Sequence, residues 1–336
     1  MTTDSELLPN PFDQRGRITD PTRFVARWNV LSLLFDRIEA DRPVLITGVA
    51  GIGRSSLLTH VVQSAAVNLE IPTLRSYYLD VSSAPHANSI YETLVGALGD
   101  RGDTQAALEV ALATTSDPVL VCLDGAERLA SAEWGQRLLE ALARMARSGT
   151  LMLIVAVRGE PPQLSERYAT IALGAFAPSE VRLLTEAYLE GYEISFSPAE
   201  TRQLAALSAG HPAYLQRAAY HLFRFKRNPE VRWIDDYLIE ARNRPIPGAP
   251  LPPSVFEGAD GDADPSRYDD LVEGDIPPAR PNLQALPEVP LFLIYLIPLL
   301  IGVLLGMLGW IAAGVVVALA GSTAIWWWAK RAAKPE

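Results

Sequence analysis

The sequence predicts an α/β fold: a three-layer domain with a parallel sheet, then a small helical lid, a disordered linker and two transmembrane helices. Three observations predict it. Short apolar runs alternate with stretches of helical periodicity over the first half of the 336-residue chain, the pattern of strands joined by crossover helices. One of those runs enters a helix through a glycine-rich turn. Near the C-terminus, residues 289–328 hold no charged side chain at all.

In chain order, an entry segment of residues 1–28 precedes helical periodicity at Val30-Leu31, Leu33-Leu34-Phe35 and Ile38. The first strand follows at 43–47. Further strands are expected at Thr73–Val81, Pro118–Leu123, Leu151–Val157 and Thr170–Phe176, with helices near 56–67, 88–98, 104–114 and 132–147. These make an α/β domain over residues 1–178. From Ser179 to Asn243 the apolar spacing is helical throughout, at Val181, Leu183-Leu184, Leu204, Leu207, Tyr214-Leu215, Ala218 and Leu222-Phe223, which gives the lid, residues 179–243.

Residues 244–288 change character. From residue 245 to 288 the stretch holds ten prolines, and nine acidic residues against Arg267 and Arg280, a local net of −7 within a chain of net charge −10. It has too little apolar surface to offset its chain entropy, so an extended linker is expected, its acids solvated or docked on a basic partner. The uncharged stretch 289–328 would be about 60 Å long as one helix, against a hydrocarbon core of about 30 Å. Two spans with a break at Gly306–Gly309 fit better; a hairpin in one leaflet and a buried soluble hairpin are the alternatives. Pro298 would kink the first span, Gly302 and Gly306 form a close-packing motif, and Trp326-Trp327-Trp328 suits an interfacial belt. Lys330, Arg331 and Lys334 in the tail 329–336 place the C-terminus, and with it the α/β domain, on the cytoplasmic side of the cell inner membrane.

The net negative charge, with no basic cluster outside the tail, argues against a general nucleic-acid partner. The single cysteine, Cys122, lies within an apolar strand and reads as a core thiol.

The turn that feeds the first helix is Gly48-Val-Ala-Gly51-Ile-Gly53-Arg54-Ser55-Ser56. Gly48, Gly51 and Gly53 permit a tight loop whose N–H groups can ring a phosphate at a helix N-terminus. Ser55 and Ser56 follow, with the Ser55 hydroxyl placed to reach Mg²⁺. The P-loop pattern expects lysine where Arg54 stands. A planar guanidinium does not replace a compact ammonium, so the fork is expected either to displace the β/γ-phosphates or to point outward.

About seventy residues on, Val119-Leu120-Val121-Cys122-Leu123 ends in Asp124, the second magnesium candidate. Many such sites need a glutamate directly after that acid to orient water. Position 125 is glycine, and the next acid, Glu127, is either a substitute or a surface residue. Arg158 closes the next strand, where it could meet a γ-phosphate or simply be exposed.

With these motifs in this order, residues 8–225 resemble the bacterial STAND-type, AAA-like P-loop NTPases. Asn10-Pro11-Phe12 and Phe24-Val25-Ala26-Arg27 are similar to that group's entry motif, with departures at Ala26 and Trp28. Gly210-His211-Pro212 is similar to the lid's G-x-P motif. The resemblance implies that Arg27 lies near the base or ribose, that Pro212 closes over an adenine nucleotide, ATP or ADP, and that nucleotide state controls homo-oligomer assembly. Asp124, Glu127 and Arg158 would be the hydrolytic residues. Three functions remain open: a membrane-anchored nucleotide switch, a pseudo-ATPase scaffold holding an unidentified protein at the membrane lipid, and an active remodelling ATPase.

Overall fold

The computed structural model describes residues 8–159, 164 and 166–257. The remainder of the expected linker, the hairpin 289–328 and the tail 329–336 lie outside the described residues. Among the described residues, no helix is long and apolar enough to cross a membrane.

Five strands form one sheet: β1 (Val44–Thr47), β2 (Arg75–Asp80), β3 (Val119–Asp124), β4 (Met152–Ala156) and β5 (Ala169–Ala172), ordered β2-β3-β4-β1-β5. Every pairing is parallel. Parallel strands need long crossovers, and those crossovers cover both faces. On one face lie α1 (Trp28–Glu39) and α2 (Arg54–Asn68). On the other lie α3 (Ala87–Leu98), α4 (Gln105–Thr114), α5 (Glu127–Ser131) and α6 (Glu133–Arg147). The period of two in β3 divides its side chains between these layers. Val121 and Leu123 join the core under α3–α6, while Leu120 and Cys122 join the core under α1 and α2. β3 is therefore buried at every position, and so it reads as a continuous apolar run. Cys122 is fully buried, and burial pushes its thiol well above the ordinary range.

The strand expected to run to Phe176 leaves the sheet at Ala172. Beyond it the chain turns into the lid, and the Phe176 N–H donates to the Gly210 carbonyl at 2.8 Å. The short helix α5 has too few residues to carry a visible period.

The lid contains α7 (Pro178–Tyr188), α8 (Pro198–Ser208), α9 (Pro212–Arg227), α10 (Trp233–Asn243) and α11 (Ser254–Glu257). Proline opens α7, α8 and α9, where its missing N–H is no loss and its fixed φ suits the first turn. Ser197 and Glu200 cap α8 reciprocally: the Glu200 N–H donates to Ser197 Oγ, and the Ser197 N–H to Glu200 Oε2.

Residues 244–257, expected in the linker on proline content, pack onto the lid. Ile246, Leu251 and Val255 contribute to its core, the Ile246 N–H donates to the Tyr214 hydroxyl, and Ser254 Oγ donates to Leu207 O. The entry segment starts in the lid as well. Phe12 is fully buried there, stacked on Tyr188 at 5.5 Å and Phe196 at 5.7 Å, and only later does the chain cross to α1.

Candidate functional site

The glycine-rich turn leaves β1 at the carboxyl edge of the sheet, beside a point where the strand order reverses, the usual ligand position in such sheets. Gly53 is in the left-handed region and caps α2, which begins at Arg54. Over this turn lies a cavity of about 390 Å³. Its floor is Gly51 to Ser56. Its far wall is the lid, through Leu184, Pro212, Ala213 and Gln216, and its roof is the entry segment from Arg15 to Arg27. Phe24, Phe176, Leu184 and Ile246 give it an apolar part. Arg15, Arg17, Arg23, Arg27, Arg54 and Arg217 also line it, and among the described residues no carboxylate does. A space of this kind favours a flat apolar group attached to a multiply charged anion.

The lid is held directly against the turn. His211, just before α9, has Nε2 2.9 Å from the Ala50 carbonyl. Because that partner can only accept, Nε2 carries the proton and Nδ1 is the bare nitrogen. Nδ1 is buried without a hydrogen-bond partner among the described residues. A Cβ at Gly51 would stand 2.9 Å from His211 Cε1 and 3.1 Å from Ala213 Cβ, so the glycine is what lets the lid approach so closely.

Burial lowers the His211 pKa below its ordinary value. The bond to Ala50 opposes this, and Arg217 and Arg27 nearby reinforce it. The unfolded histidine titrates near 6.5, so the unfolded chain takes up this proton more readily than the folded one. The clasp therefore contributes full stability above about pH 6.5 and loses it as pH falls below that. His211→Gln keeps a donor that does not titrate. It is expected to reduce the drop in thermal midpoint between pH 7.5 and 5.5 by about 3 °C. Parallel pH–melting curves for the variant and the parent chain would show that His211 plays no such part.

Arg54 neither points outward nor stands clear of the turn. Its Nη1 donates to the Gly48 and Val157 carbonyls, the latter at 2.7 Å, and Nη2 lies 3.4 Å from Glu127 Oε1. The guanidinium thus folds inward across the ends of β1 and β4. Burial lowers its pKa, opposed by Glu127 and Asp124, yet arginine stays charged. Glu127, in the first turn of α5, also accepts the Arg158 N–H at 2.8 Å. It therefore belongs to the site. Arg158 contributes its backbone there, while its guanidinium lies beside Gly248, where a Cβ would be 2.8 Å from Nη1.

A glutamate at position 125, found in many hydrolytic sites, would be strained here. The φ of Gly125 is +69°, and a Cβ would stand 2.8 Å from Ser82 Cβ and 3.3 Å from Asp80 Oδ1. Backbone and neighbours both disfavour a side chain there.

Arg27 is committed to the fold. Its backbone is left-handed, with φ +65°. Its N–H donates to Glu180 Oε1, and its Nη2 donates to Ile52 O at 3.3 Å and Gly174 O at 2.6 Å. The guanidinium lies 4.4 Å over the Phe176 ring. Here it joins turn, sheet and lid while exposing one edge to the cavity. Ser56 Oγ is likewise engaged, accepting the Ile18 N–H at 3.0 Å.

The two magnesium candidates, Ser55 and Asp124, stand differently toward the cavity. Ser55 lines the cavity, but Asp124 is buried off its wall. Asp124 Oδ2 accepts the Tyr78 hydroxyl at 2.6 Å, and Oδ1 accepts the Gly125 N–H at 2.9 Å. Burial, then the bond to Asp124, pushes Tyr78 up to about 12, so it remains a neutral donor. On its other side the Arg17 guanidinium lies 4.5 Å from the Tyr78 ring centroid. No group of three His, Cys, Asp or Glu side chains that could hold a metal ion exists among the described residues. This donor set does not fit a magnesium ion, which wants a carboxylate open to its water shell.

Of the residues singled out in the sequence, Arg27, Gly51, Gly53, Arg54, Ser55, Ser56 and Pro212 line the cavity and Gly48, Asp124, Glu127 and Arg158 do not, while Arg15, Arg17, Arg23 and Arg217 line it without a sequence signal. The Gly-His-Pro triplet was the one visible signal for His211; the arginines stand in irregular segments without a pattern.

Residues 42–192 match the NACHT domain, just under half of the chain. The Walker-type ATPase of Pyrococcus abyssi superposes with a TM-score of 0.51 at 16% identity, covering 69% of this chain and 76% of that one. Drosophila ORC bound to DNA gives a TM-score of 0.51 at 15% identity, covering 69% and 64%. At these identities the likeness is one of fold. No curated protein sequence matches the chain. The described α/β domain has the three-layer fold of a P-loop NTPase.

Proposed function

We propose that this chain is a nucleotide-operated switch of the STAND type, holding ATP or ADP between the glycine-rich turn and the lid. The observation that carries the reading is the arginine-lined cavity, closed on one side by Gly51–Ser56 and on the other by Pro212 and Ala213. In this reading Arg54 and the N–H groups at the start of α2 take the phosphates, and the apolar wall at Phe24 and Phe176 takes the base. Pro212 sits over it, and the His211–Ala50 clasp couples the lid to occupancy. Assembly into a homo-oligomer and output through a membrane hairpin at 289–328, with the α/β domain cytoplasmic, complete the proposal. Titration of ATP and ADP into the full-length chain by calorimetry tests it: one saturable site is expected, and absence of heat with both nucleotides overturns it.

A pseudo-ATPase scaffold is the second reading, favoured by glycine at position 125 and by Arg54 in place of lysine. Losing donors and a water-orienting base removes orders of magnitude in rate. Steady-state turnover well above the uncatalysed background would remove this reading and leave an active ATPase.

A further inference from the structure

We infer that this site, taken as the nucleotide site proposed above, binds nucleoside di- and triphosphates without a divalent cation, with Arg17 and Arg54 supplying the positive charge. Two independent features carry the inference. The first is Asp124, the carboxylate that ends β3. Its oxygens accept from Tyr78 and Gly125, both neutral donors, and it is shielded from the cavity. A carboxylate so engaged is a poor partner for a hydrated dication, which is reluctant to give up water for ligands.

The second is the cation already in place. Arg17 lines the cavity and at the same time covers the Tyr78 ring. It therefore brings a guanidinium to the cavity from beside the residue that hydrogen-bonds Asp124. Its segment is fixed to the glycine-rich turn by the bond from Ile18 N–H to Ser56 Oγ, so its position is built into the fold. Arg54 lines the same cavity and folds over the ends of β1 and β4. Guanidinium forks match phosphate oxygens in pairs. Two of them face one cavity in which no described residue brings a carboxylate, so the phosphate charge can be met without an added dication.

The test is calorimetric titration of ADP and ATP into the full-length chain, once in excess Mg²⁺ and once in EDTA. Dissociation constants agreeing within about twofold are expected; weakening by tenfold or more in EDTA overturns the inference. No binding in either buffer overturns the nucleotide reading itself, a result distinct from magnesium dependence. Arg17→Ala is expected to weaken binding in EDTA by about tenfold or more, with part of the loss restored by Mg²⁺, while Arg17→Lys keeps most of the affinity. Tyr78→Phe frees one oxygen of Asp124 and is expected to introduce a magnesium dependence that the parent chain lacks. If both Arg17→Ala and Tyr78→Phe bind with the parent's affinity in EDTA and gain nothing from Mg²⁺, these residues do not replace the metal.

Discussion

Gly210→Ala is expected to destabilise the lid by about 3 kcal/mol or more and to lower the thermal midpoint by roughly 6 °C or more. Gly210 has φ +67°, and a Cβ there would lie 2.3 Å from the Phe176 carbonyl oxygen and 3.3 Å from Ala175 Cβ. The clash is with backbone, which cannot rotate away as a side chain could. The backbone of Gly210 also accepts the Phe176 N–H and donates to Ala205 O at 3.0 Å. Relief by movement would therefore break the bonds that end α8 and start the lid's return to the cavity. Pro212 and Ala213 follow within three residues, so nucleotide affinity is expected to fall together with stability. Gly191→Ala is the control. That glycine has φ +82° with open space around it, so it isolates left-handed strain, about 1 kcal/mol. Equal melting shifts for the two variants would mean that the Phe176 contact contributes nothing.

Arg54→Ala is expected to weaken ATP and ADP binding by roughly 10- to 100-fold, the scale of a lost charge-assisted hydrogen bond. Two separate consequences add. The phosphates lose a guanidinium at the mouth of α2, and Glu127, about one-third exposed, loses its partner 3.4 Å away. A carboxylate left without its guanidinium beside this turn is repulsive to an anion, so Arg54→Ala with Glu127→Gln is expected to recover part of the affinity. Arg54→Lys should fall between the two: its ammonium retains the charge but cannot span two strand-end carbonyls and Glu127 at once. Unchanged calorimetric constants for Arg54→Ala would place the phosphates away from this turn.

The sheet was readable because parallel strands are buried on both faces. β1, β3 and β4 appear as unbroken apolar runs, and their ends fall within a residue or two of those expected. The glycine-rich turn was readable because backbone geometry selects the residue type. Arg54 was legible as a departure but not in direction, since nothing local says that Val157, 103 residues away, would supply a carbonyl for it. Tyr78 and Arg17 were invisible for the same reason. Each is an ordinary residue until β2 is placed beside β3 and the entry segment is laid over both. Residues 244–257 misled through composition: prolines and few apolar residues suggest a chain without partners, yet Ile246, Leu251 and Val255 are enough to seat it on a lid already folded. Gly125 illustrates the reverse. In the sequence it reads as a missing catalytic acid, and its surroundings make it a position where a side chain is strained.

The burial of Phe12 in the lid has a mechanical corollary. The chain is anchored in the lid at Phe12 and again on the glycine-rich turn where Ile18 meets Ser56. Six peptide units separate these anchors, and fully extended they reach about 20 Å. The entry segment is therefore a leash as well as a roof. It sets an upper bound on how far the two bodies can part while both anchors hold, and any wider opening must first release one of them.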